Sequence, residues 1–498
     1  MAGNFLKAGL ALGIAILIGR ISGLVRELLI AHRFGISDVA DQLVILLVFP
    51  DILTAILGTS ALLYTLVPQF KTQPTATISS FYVQSLTVTL IIFSLIAALT
   101  ILFASQITTL LAPGFSVQKM DTVRTYIPLF ALMIPLTALA GVSTSRLHSR
   151  DHYITSGFGA LIVNTAIIIG IISSFFLENS VFKLVAIALL LGGFVRFISQ
   201  HLMLHRDTKW TGSFRSNLLT TDLGKRYFQA VLSGSLFLTL PVFARAFASQ
   251  DNGAIATFNY AVKLAELPMG VAISIIPVIL LPKMTASLKK GQPGAAEALS
   301  KDTVYANLAL SLSIGIPGAW TATTIVDILY GRGSFSGSEL SSISALVTIA
   351  LLGLPAHGML NHFLSVLHAA KRTTPILLTA IITAVTFYIL AQTLYQTLQL
   401  PGLMAALYLS YFVGACVLAL TTKITLNWKL SAVGISLLNL KLVALNIILL
   451  TLVWSVNLGH TASIISNIAL ATLWGSLSLA GAFMIYVADK KREDEAAA

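Results

Sequence analysis

Long apolar segments follow one another along almost the whole chain, and short polar connections separate them. A helix needs ~20 mostly apolar residues to cross a bilayer, and about fourteen segments reach that length. The pattern therefore predicts an all-α polytopic membrane protein. The predicted spans are residues 8–33, 38–68, 81–111, 122–147, 154–177, 182–204, 227–249, 254–284, 303–330, 339–369, 375–397, 402–426, 437–457 and 462–487.

The longest polar connection is residues 205–226, which predicts a linker with a short interfacial helix anchored by Trp210. It divides the first twelve spans into two sets of six. We therefore expect an N-lobe at 1–204, this linker, a C-lobe at 227–427, and two further spans with a basic tail at 428–498.

Short motifs recur in the same order in the two sets of spans. Because each set has an even number of spans, both sets enter the membrane from the same side, which predicts a parallel repeat with a pseudo-twofold axis along the membrane normal. Pro50 and Pro268 interrupt apolar helices, where proline removes a backbone hydrogen bond, so they are either conformational hinges or kinks needed for packing. The matching motifs are Phe49-Pro50 with Leu267-Pro268, Val67-Pro68 with Leu281-Pro282, and residues 112–116 with 330–335.

Composition excludes a string of soluble domains. The chain of 498 residues is 56% hydrophobic and 10% charged, whereas soluble domains average ~25% charged residues; its mean hydropathy is +0.88. The net charge of +12 does not indicate nucleic-acid binding, because most basic residues fall in alternate connections. This positive-inside bias predicts that both termini are cytoplasmic.

Two arginines lie inside the first apolar segment. A charged side chain at the bilayer centre costs at least ~2.5–3.5 kcal/mol, so it is expected to face protein or water and to bind a group of opposite charge. Arg20 is ~18 Å from either end of its span, which is too far to reach an interface easily. Arg26 follows six residues later. One interpretation is an anion site, since a guanidinium suits phosphate oxygens; the other is a structural pair of Arg20 with Glu27 or Asp51.

Other charges inside the spans allow two interpretations each. Lys263 and Glu266 are three residues apart and either pair with each other or face a cavity. Asp41 opens the second span, where a helix cap is as reasonable as a functional role. Arg196 and Arg245 lie near span ends and are expected to extend to a headgroup region.

Signals for enzymes are poor, because no Walker-type loop, HExxH motif or nucleophile elbow is present. We expect no metal site and no cofactor. A cation-coupled drug extruder predicts an acidic, aromatic-lined cavity, whereas the charges within these spans lean basic. A membrane enzyme would be revealed by turnover of a lipid-linked substrate.

One ordered set of short motifs extends over most of the chain. Its members are Gly19-Arg20-Ile-Ser-Gly23-Leu-Val-Arg26-Glu27, Phe34-Gly35, Asp41, Phe49-Pro50, Val67-Pro68, residues 112–115, Asn164, Leu267-Pro268, Leu281-Pro282, residues 330–335 and residues 371–375. With this set the chain resembles the MurJ (MviN) lipid II flippases of the multidrug/oligosaccharidyl-lipid/polysaccharide exporter superfamily. It departs from many members at Thr54 or Ala55, where they carry arginine, at Thr59, where they carry glutamate, and at Val262-Lys263, where they read Asp-Arg.

The resemblance implies two six-helix lobes around a central cavity, two extra helices that form a groove for a lipid tail, and alternating access in a bacterial inner membrane. It implies transport of the undecaprenyl-pyrophosphate-linked peptidoglycan precursor, lipid II. We further expect a monomer that contacts membrane lipids and binds no nucleic acid. An exporter of another polyprenyl-linked oligosaccharide stays open as the alternative. The residues expected to bind the substrate or to neutralise its site are Arg20, Arg26, Lys263, Asp41 and Glu27.

Overall fold

The computed structural model describes residues 2–54, 57, 60–177, 180–205, 218–270, 275–332, 335–455 and 464–497. Within these ranges the chain is almost entirely helical and contains no β-strand. Apolar segments without internal polar periodicity form helices in a membrane because each backbone hydrogen bond is made within the segment. The predicted all-α class is therefore confirmed.

The helices of the first half follow the predicted spans, several of which are built from two helices. They are α1 (Ala2–Phe34), α2 (Asp38–Thr54), α3 (Ser60–Thr72), α4 (Thr75–Leu102), α5 (Ala104–Leu111), α6 (Val117–Ala131), α7 (Met133–Ser149), α8 (Ile154–Gly157), α9 (Gly159–Ser173) and α10 (Val181–His205).

The helices of the second half show the same alternation of long and broken elements. They are α11 (Thr221–Ala248), α12 (Ala254–Pro268), α13 (Ile275–Lys289), α14 (Pro293–Trp320), α15 (Ala322–Tyr330), α16 (Gly337–Leu352), α17 (Leu354–Ala369), α18 (Thr373–Leu426), α19 (Leu437–Ser455) and α20 (Ile464–Ala497), with a 3₁₀ turn at Leu430–Val433 before α19.

Helix lengths repeat along the chain in the order that the motifs predict. A helix of 28 residues followed by a short one of 8 or 9 residues occurs as α4–α5 and again as α14–α15. Helices α6 and α7, with 15 and 17 residues, correspond to α16 and α17, with 16 each. The repeated proline lies inside α2 as Pro50 and at the end of α12 as Pro268. The predicted repeat is thus visible in the secondary structure.

Within the described residues, six helices are long and apolar enough to cross a membrane, and two bent helix pairs raise this number to eight. The bends are 69° between α14 and α15 and 43° between α16 and α17. Helix α18 turns at Gln399, whose φ of 52° and ψ of −132° are not helical, so its two arms correspond to the predicted spans 375–397 and 402–426. These helices establish a multi-pass membrane protein.

Helix α4 shows how a span divides its surface between protein and lipid. Phe93 and Ala97 are buried against Ile134 and Ala138 of α7, whereas leucines and isoleucines on its other side, such as Leu95, are exposed. In lipid, exposed aliphatic side chains cost nothing, so this distribution is that of a helix at the edge of a bundle.

The described chain forms two compact units, Met1–Asn259 and Tyr260–Ala498. Residues 206–217, which hold most of the predicted linker and its interfacial helix, lie outside the described residues. The proposed division into lobes at residues 205–226 stays a prediction.

Candidate functional site

Arg26 lies in the interior of the first unit, bonded to other residues. Its side chain is 7% exposed. Its Nη2 lies 2.7 Å from Oε1 of Glu27, and its Nη1 donates to Oδ1 of Asn164 on α9 over 3.0 Å. A buried guanidinium needs a paired charge and hydrogen-bond acceptors; Glu27 supplies the charge, and Glu27 and Asn164 accept from the two terminal nitrogens.

Small residues on α1 allow this contact with α9. A Cβ on Gly19 would lie 3.0 Å from the Cβ of Ala160, and one on Gly23 would lie 3.4 Å from Nδ2 of Asn164. The same Nδ2 donates to the carbonyl of Gly19 over 3.2 Å and to Oγ of Ser22 over 3.0 Å. Close helix approach through glycine is common in membranes, and here it brings Asn164 within reach of Arg26.

The network continues from Glu27 to two further helices. Oε2 of Glu27 accepts a hydrogen bond of 3.0 Å from Nδ2 of Asn259 on α12. Oδ1 of Asn259 accepts one of 2.9 Å from Nη2 of Arg245 on α11, whose Nη1 donates to the carbonyl of Pro241. Arg245 is 5% exposed, so the expectation that it extends to a headgroup is wrong. We call Arg26, Glu27, Asn164, Arg245 and Asn259 the central network.

The central network carries two guanidinium groups and one carboxylate. All five side chains are less than 9% exposed. Glu27 is the acid that both arginines approach, directly in the case of Arg26 and through Asn259 in the case of Arg245. Removal of one member of a buried ion pair is strongly destabilising because the remaining charge is left uncompensated. Glu27 is therefore the residue on which this region most depends.

Arg20 differs from Arg26 in its exposure. It lies six residues earlier on α1 and is half-buried, whereas Arg26 is buried. Its neighbour Gly19 faces α9, so this turn of α1 packs inside the unit. Arg20 thus combines a position far from either helix end with a side chain that keeps part of its surface accessible.

Asp41 caps the start of another helix. Its carboxylate accepts hydrogen bonds of 2.8 Å from the backbone amides of Gly253 and Ala256, at the N-terminus of α12. Asp41 is fully buried. Unpaired amides and the helix dipole at an N-terminus favour a carboxylate, so the structure shows a capping contact, although to α12 rather than to its own helix.

Lys119, on α6, completes this second cluster. Its Nζ lies 2.6 Å from Oδ1 of Asp38 and 3.6 Å from Oδ2 of Asp41, and it donates to Oδ1 of Asn252 over 2.8 Å. Only 4% of Lys119 is exposed. No local pattern in the sequence points to Lys119, because its partners lie far away along the chain.

Lys263 and Glu266 pair with each other on α12. Nζ of Lys263 lies 2.8 Å from Oε2 of Glu266, one helical turn away. Their side chains are 23% and 36% exposed. The pairing predicted from their spacing is confirmed, and both groups keep contact with solvent-accessible space.

The two prolines occupy different places in their helices. Pro50 is buried inside α2, which continues for one further turn to Thr54, whose hydroxyl donates to the carbonyl of Pro50 over 2.8 Å. Pro268 is the last residue of α12. Residues 271–274, which follow the second proline, lie outside the described residues.

Among the described residues, no group of three or more His, Cys, Asp or Glu side chains is arranged to hold a metal ion.

The internal repeat contains a signal for the residues that the sequence analysis missed. Arg245 and Asn259 occupy the positions that correspond to two charged residues singled out in the first half. An ungapped register pairs Pro50 with Pro268, Gly35 with Gly253, Asp41 with Asn259 and Glu27 with Arg245.

Comparisons with known proteins agree on one family. The model of the family described as "Lipid II flippase MurJ" matches residues 30–476. The chain is 24% identical over 402 residues to a probable lipid II flippase MurJ of Rhizobium tropici, covering 77% of this chain and 74% of that protein. It is 22% identical over 439 residues to one of Thermotoga maritima, covering 86% and 88%.

Solved structures with the same fold come from two groups. A lipid II flippase MurJ in an inward closed conformation superposes with a TM-score of 0.81 at 20% identity, covering 96% of this chain and 99% of that one. An inward-facing multidrug resistance MATE family transporter of the MOP superfamily gives a TM-score of 0.69 at 13% identity, covering 84% and 98%.

Proposed function

The chain belongs to the lipid II flippase MurJ family, and from this membership we propose that it moves lipid II from the inner to the outer leaflet of a bacterial cytoplasmic membrane. It is a transporter rather than an enzyme. The observation that carries the proposal is the pair of arginines within α1, of which Arg20 is half-buried and Arg26 is held by Glu27. Lipid II presents a pyrophosphate, whose oxygens suit guanidinium donors.

The two arginines have different parts in this proposal. Arg20, with accessible surface inside a span, contacts the pyrophosphate. Arg26 is neutralised by Glu27 while the site is empty and adds positive potential to it. Lys263, balanced by Glu266, is the second basic contact, contributed by α12.

Alternating access requires contacts that are made in one state and broken in the other. The central network joins α11 and α12 to α1 and α9. Asp41 and Lys119 join the start of α12 to α2 and α6. We infer that these contacts close one side of the transport path. Pro50, inside α2, and Pro268, the last residue of α12, would then act as hinges.

The two last helices suit a lipid tail. Helices α19 and α20 expose large aliphatic and aromatic side chains along their length, among them Leu440, Ile465 and Phe483. We propose that they guide the isoprenoid tail while the head group passes through the interior, in a monomer with both termini cytoplasmic. The basic residues near the C-terminus, Lys490 to Arg492, fit the cytoplasmic side.

The test is complementation of bacteria depleted of their own flippase, combined with measurement of lipid II in the outer leaflet. The wild-type chain should restore growth and outer-leaflet lipid II. Arg20→Ala should abolish both while the protein stays inserted with an unchanged unfolding temperature. Arg124→Gln, which removes an exposed arginine in the middle of α6, is the matched control and should behave as wild type. Normal flipping by Arg20→Ala would contradict the anion-site proposal.

A further inference from the structure

Arg196 lies inside the first unit rather than at a membrane surface. It is on α10, nine residues before the end of the helix at His205, which corresponds to ~14 Å along the axis. An arginine side chain this far from a helix end reaches the interface only if it runs along the outside of the bundle. The structure places it elsewhere.

The side chain of Arg196 packs against the first turn of α9. A Cβ on Gly159 would lie 2.7 Å from Nε of Arg196 and 3.3 Å from its Cζ, so the absence of a side chain at Gly159 makes room for the guanidinium. The next residue, Ala160, contacts Gly19 of α1. The start of α9 therefore contacts Arg196 at Gly159 and, at Ala160, the turn of α1 that carries Arg20.

The charge that acts on Arg196 comes from a third helix. Asp51, on α2, is close enough for its carboxylate to interact with the guanidinium. Asp51 is exposed although it lies within an apolar helix. An exposed charge inside a membrane span faces water rather than lipid, because lipid does not solvate it. Arg196 and Asp51 thus border a water-accessible space in residues 1–259.

The guanidinium of Arg196 has more donors than this arrangement uses. Arginine carries five N–H groups in a planar fork. Nε of Arg196 is buried and has no hydrogen-bond partner among the described residues, and Asp51 is the one acidic group whose charge acts on it in the described part of the chain. The side chain as a whole is half-buried, so its remaining donors suit an anion with several oxygens.

We propose that Arg196 is a further substrate-binding residue, which holds phosphate oxygens of the lipid-linked pyrophosphate together with Arg20, and that Asp51 is its counter-ion when the site is empty. The inference rests on the proposed function and names a residue of the same site. A pyrophosphate carries more than one negative charge, and Arg26 is already paired with Glu27. Arg196, a half-buried arginine that packs against the same turn of α9, supplies further positive charge.

The experiment measures binding of undecaprenyl pyrophosphate to the purified full chain in lipid nanodiscs, together with thermal unfolding. Arg196→Gln should weaken binding about tenfold or more, the loss expected for hydrogen bonds to a charged group. Arg196→Lys should give an intermediate affinity, since it keeps the charge but not the planar fork. Asp51→Asn should bind as tightly as wild type or more tightly, because the competing carboxylate is gone. Arg124→Gln is the control and should bind as wild type.

Two results would overturn this inference and leave the proposed function intact. One is a wild-type chain that flips lipid II alongside an Arg196→Gln variant that binds with unchanged affinity. The other is equal loss of binding and of unfolding temperature in Arg196→Gln and Asp51→Asn, which is the behaviour of a purely structural pair. If Arg196→Gln does not fold, Arg196→Lys decides, and unchanged affinity there would count against the proposal. A wild-type chain that neither complements nor binds the lipid would overturn the proposed function and this inference together.

Discussion

The charges around Arg26 in the first unit and around Lys263 in the second are held in different ways. In the first unit, Arg26, Glu27 and Lys119 are buried and bonded to residues of other helices. In the second unit, Lys263 and Glu266 pair across one turn of their own helix and stay partly exposed. A local pair of this kind forms wherever its helix forms, whereas the buried contacts of the first unit exist only while several helices remain together.

Two corresponding helix starts show the same contrast. Ser116 and Ser336 are the N-cap residues of α6 and α16, and each accepts a hydrogen bond from the backbone amide three residues later. The third residue is Glu339 in α16, where it closes a capping box on its own N-cap. In α6 it is Lys119, which extends to Asp38, Asp41 and Asn252 instead. Reversal of one charge turns a local cap into a tertiary contact.

The largest effect is expected for Glu27→Gln. This change leaves the buried guanidinium groups of Arg26 and Arg245 without a carboxylate, and loss of one partner from a buried ion pair costs ~3–5 kcal/mol in the free energy of unfolding. Unfolding of the purified protein in detergent measures it. Glu266→Gln removes the same charge from an accessible pair and is the control, with a loss of at most ~1 kcal/mol. If the two variants lose the same free energy of unfolding, the buried pair of Glu27 contributes no more to stability than the accessible pair of Glu266.

A smaller loss of stability is expected for Asp41→Asn. The amide keeps one acceptor for the backbone of α12, but its NH₂ group opposes the second backbone donor, and the charge that faces Lys119 disappears. Hydrogen bonds to charged groups contribute ~1.5–3 kcal/mol, so a loss in the free energy of unfolding within that range is expected. The measurement is again unfolding in detergent.

The control for Asp41→Asn is Glu339→Gln, at the exposed capping box of α16. Glutamine also serves in a capping box, so this variant should change the unfolding free energy by less than ~1 kcal/mol. If Asp41→Asn were as mild as its control, the contact with α12 would be incidental to the stability of the first unit.

The structural features that could be predicted from the sequence are those set by residues close together along the chain. Apolar segment lengths predicted the helices, and three-residue spacing allowed the Lys263–Glu266 pair to be anticipated. Partners of Arg26 were not predictable in this way. Asn164 is 138 positions away from it, and only the packing of α1 against α9 through Gly19 and Gly23 decides that they meet.

For Arg245, the sequence contains information on burial beyond its distance from the helix end. Its distance from the helix end suggested a headgroup contact, since spacing alone cannot say toward which side a long side chain turns. The repeat register, however, pairs it with Glu27, and a charge at the corresponding position of both halves suggests an interior role. Corresponding positions in a duplicated fold meet similar surroundings, so an internal repeat carries information on burial that hydropathy does not.

The smallest effect on stability, and the most direct test of the local pair, is the functional effect of Glu266→Gln. With its partner neutral, Lys263 keeps its charge but loses the carboxylate 2.8 Å away. If Lys263 contacts the pyrophosphate, this variant should bind undecaprenyl pyrophosphate more tightly, by a factor of about 2–5, which corresponds to a pair contribution below ~1 kcal/mol. Lys263→Met should weaken binding instead, while Lys441→Met, which removes a cation paired with Asp489, should leave it unchanged. If neither Glu266→Gln nor Lys263→Met changes the affinity for undecaprenyl pyrophosphate, Lys263 contributes no charge to the site. The anion would then be held by residues of α1 and its neighbours in the first unit.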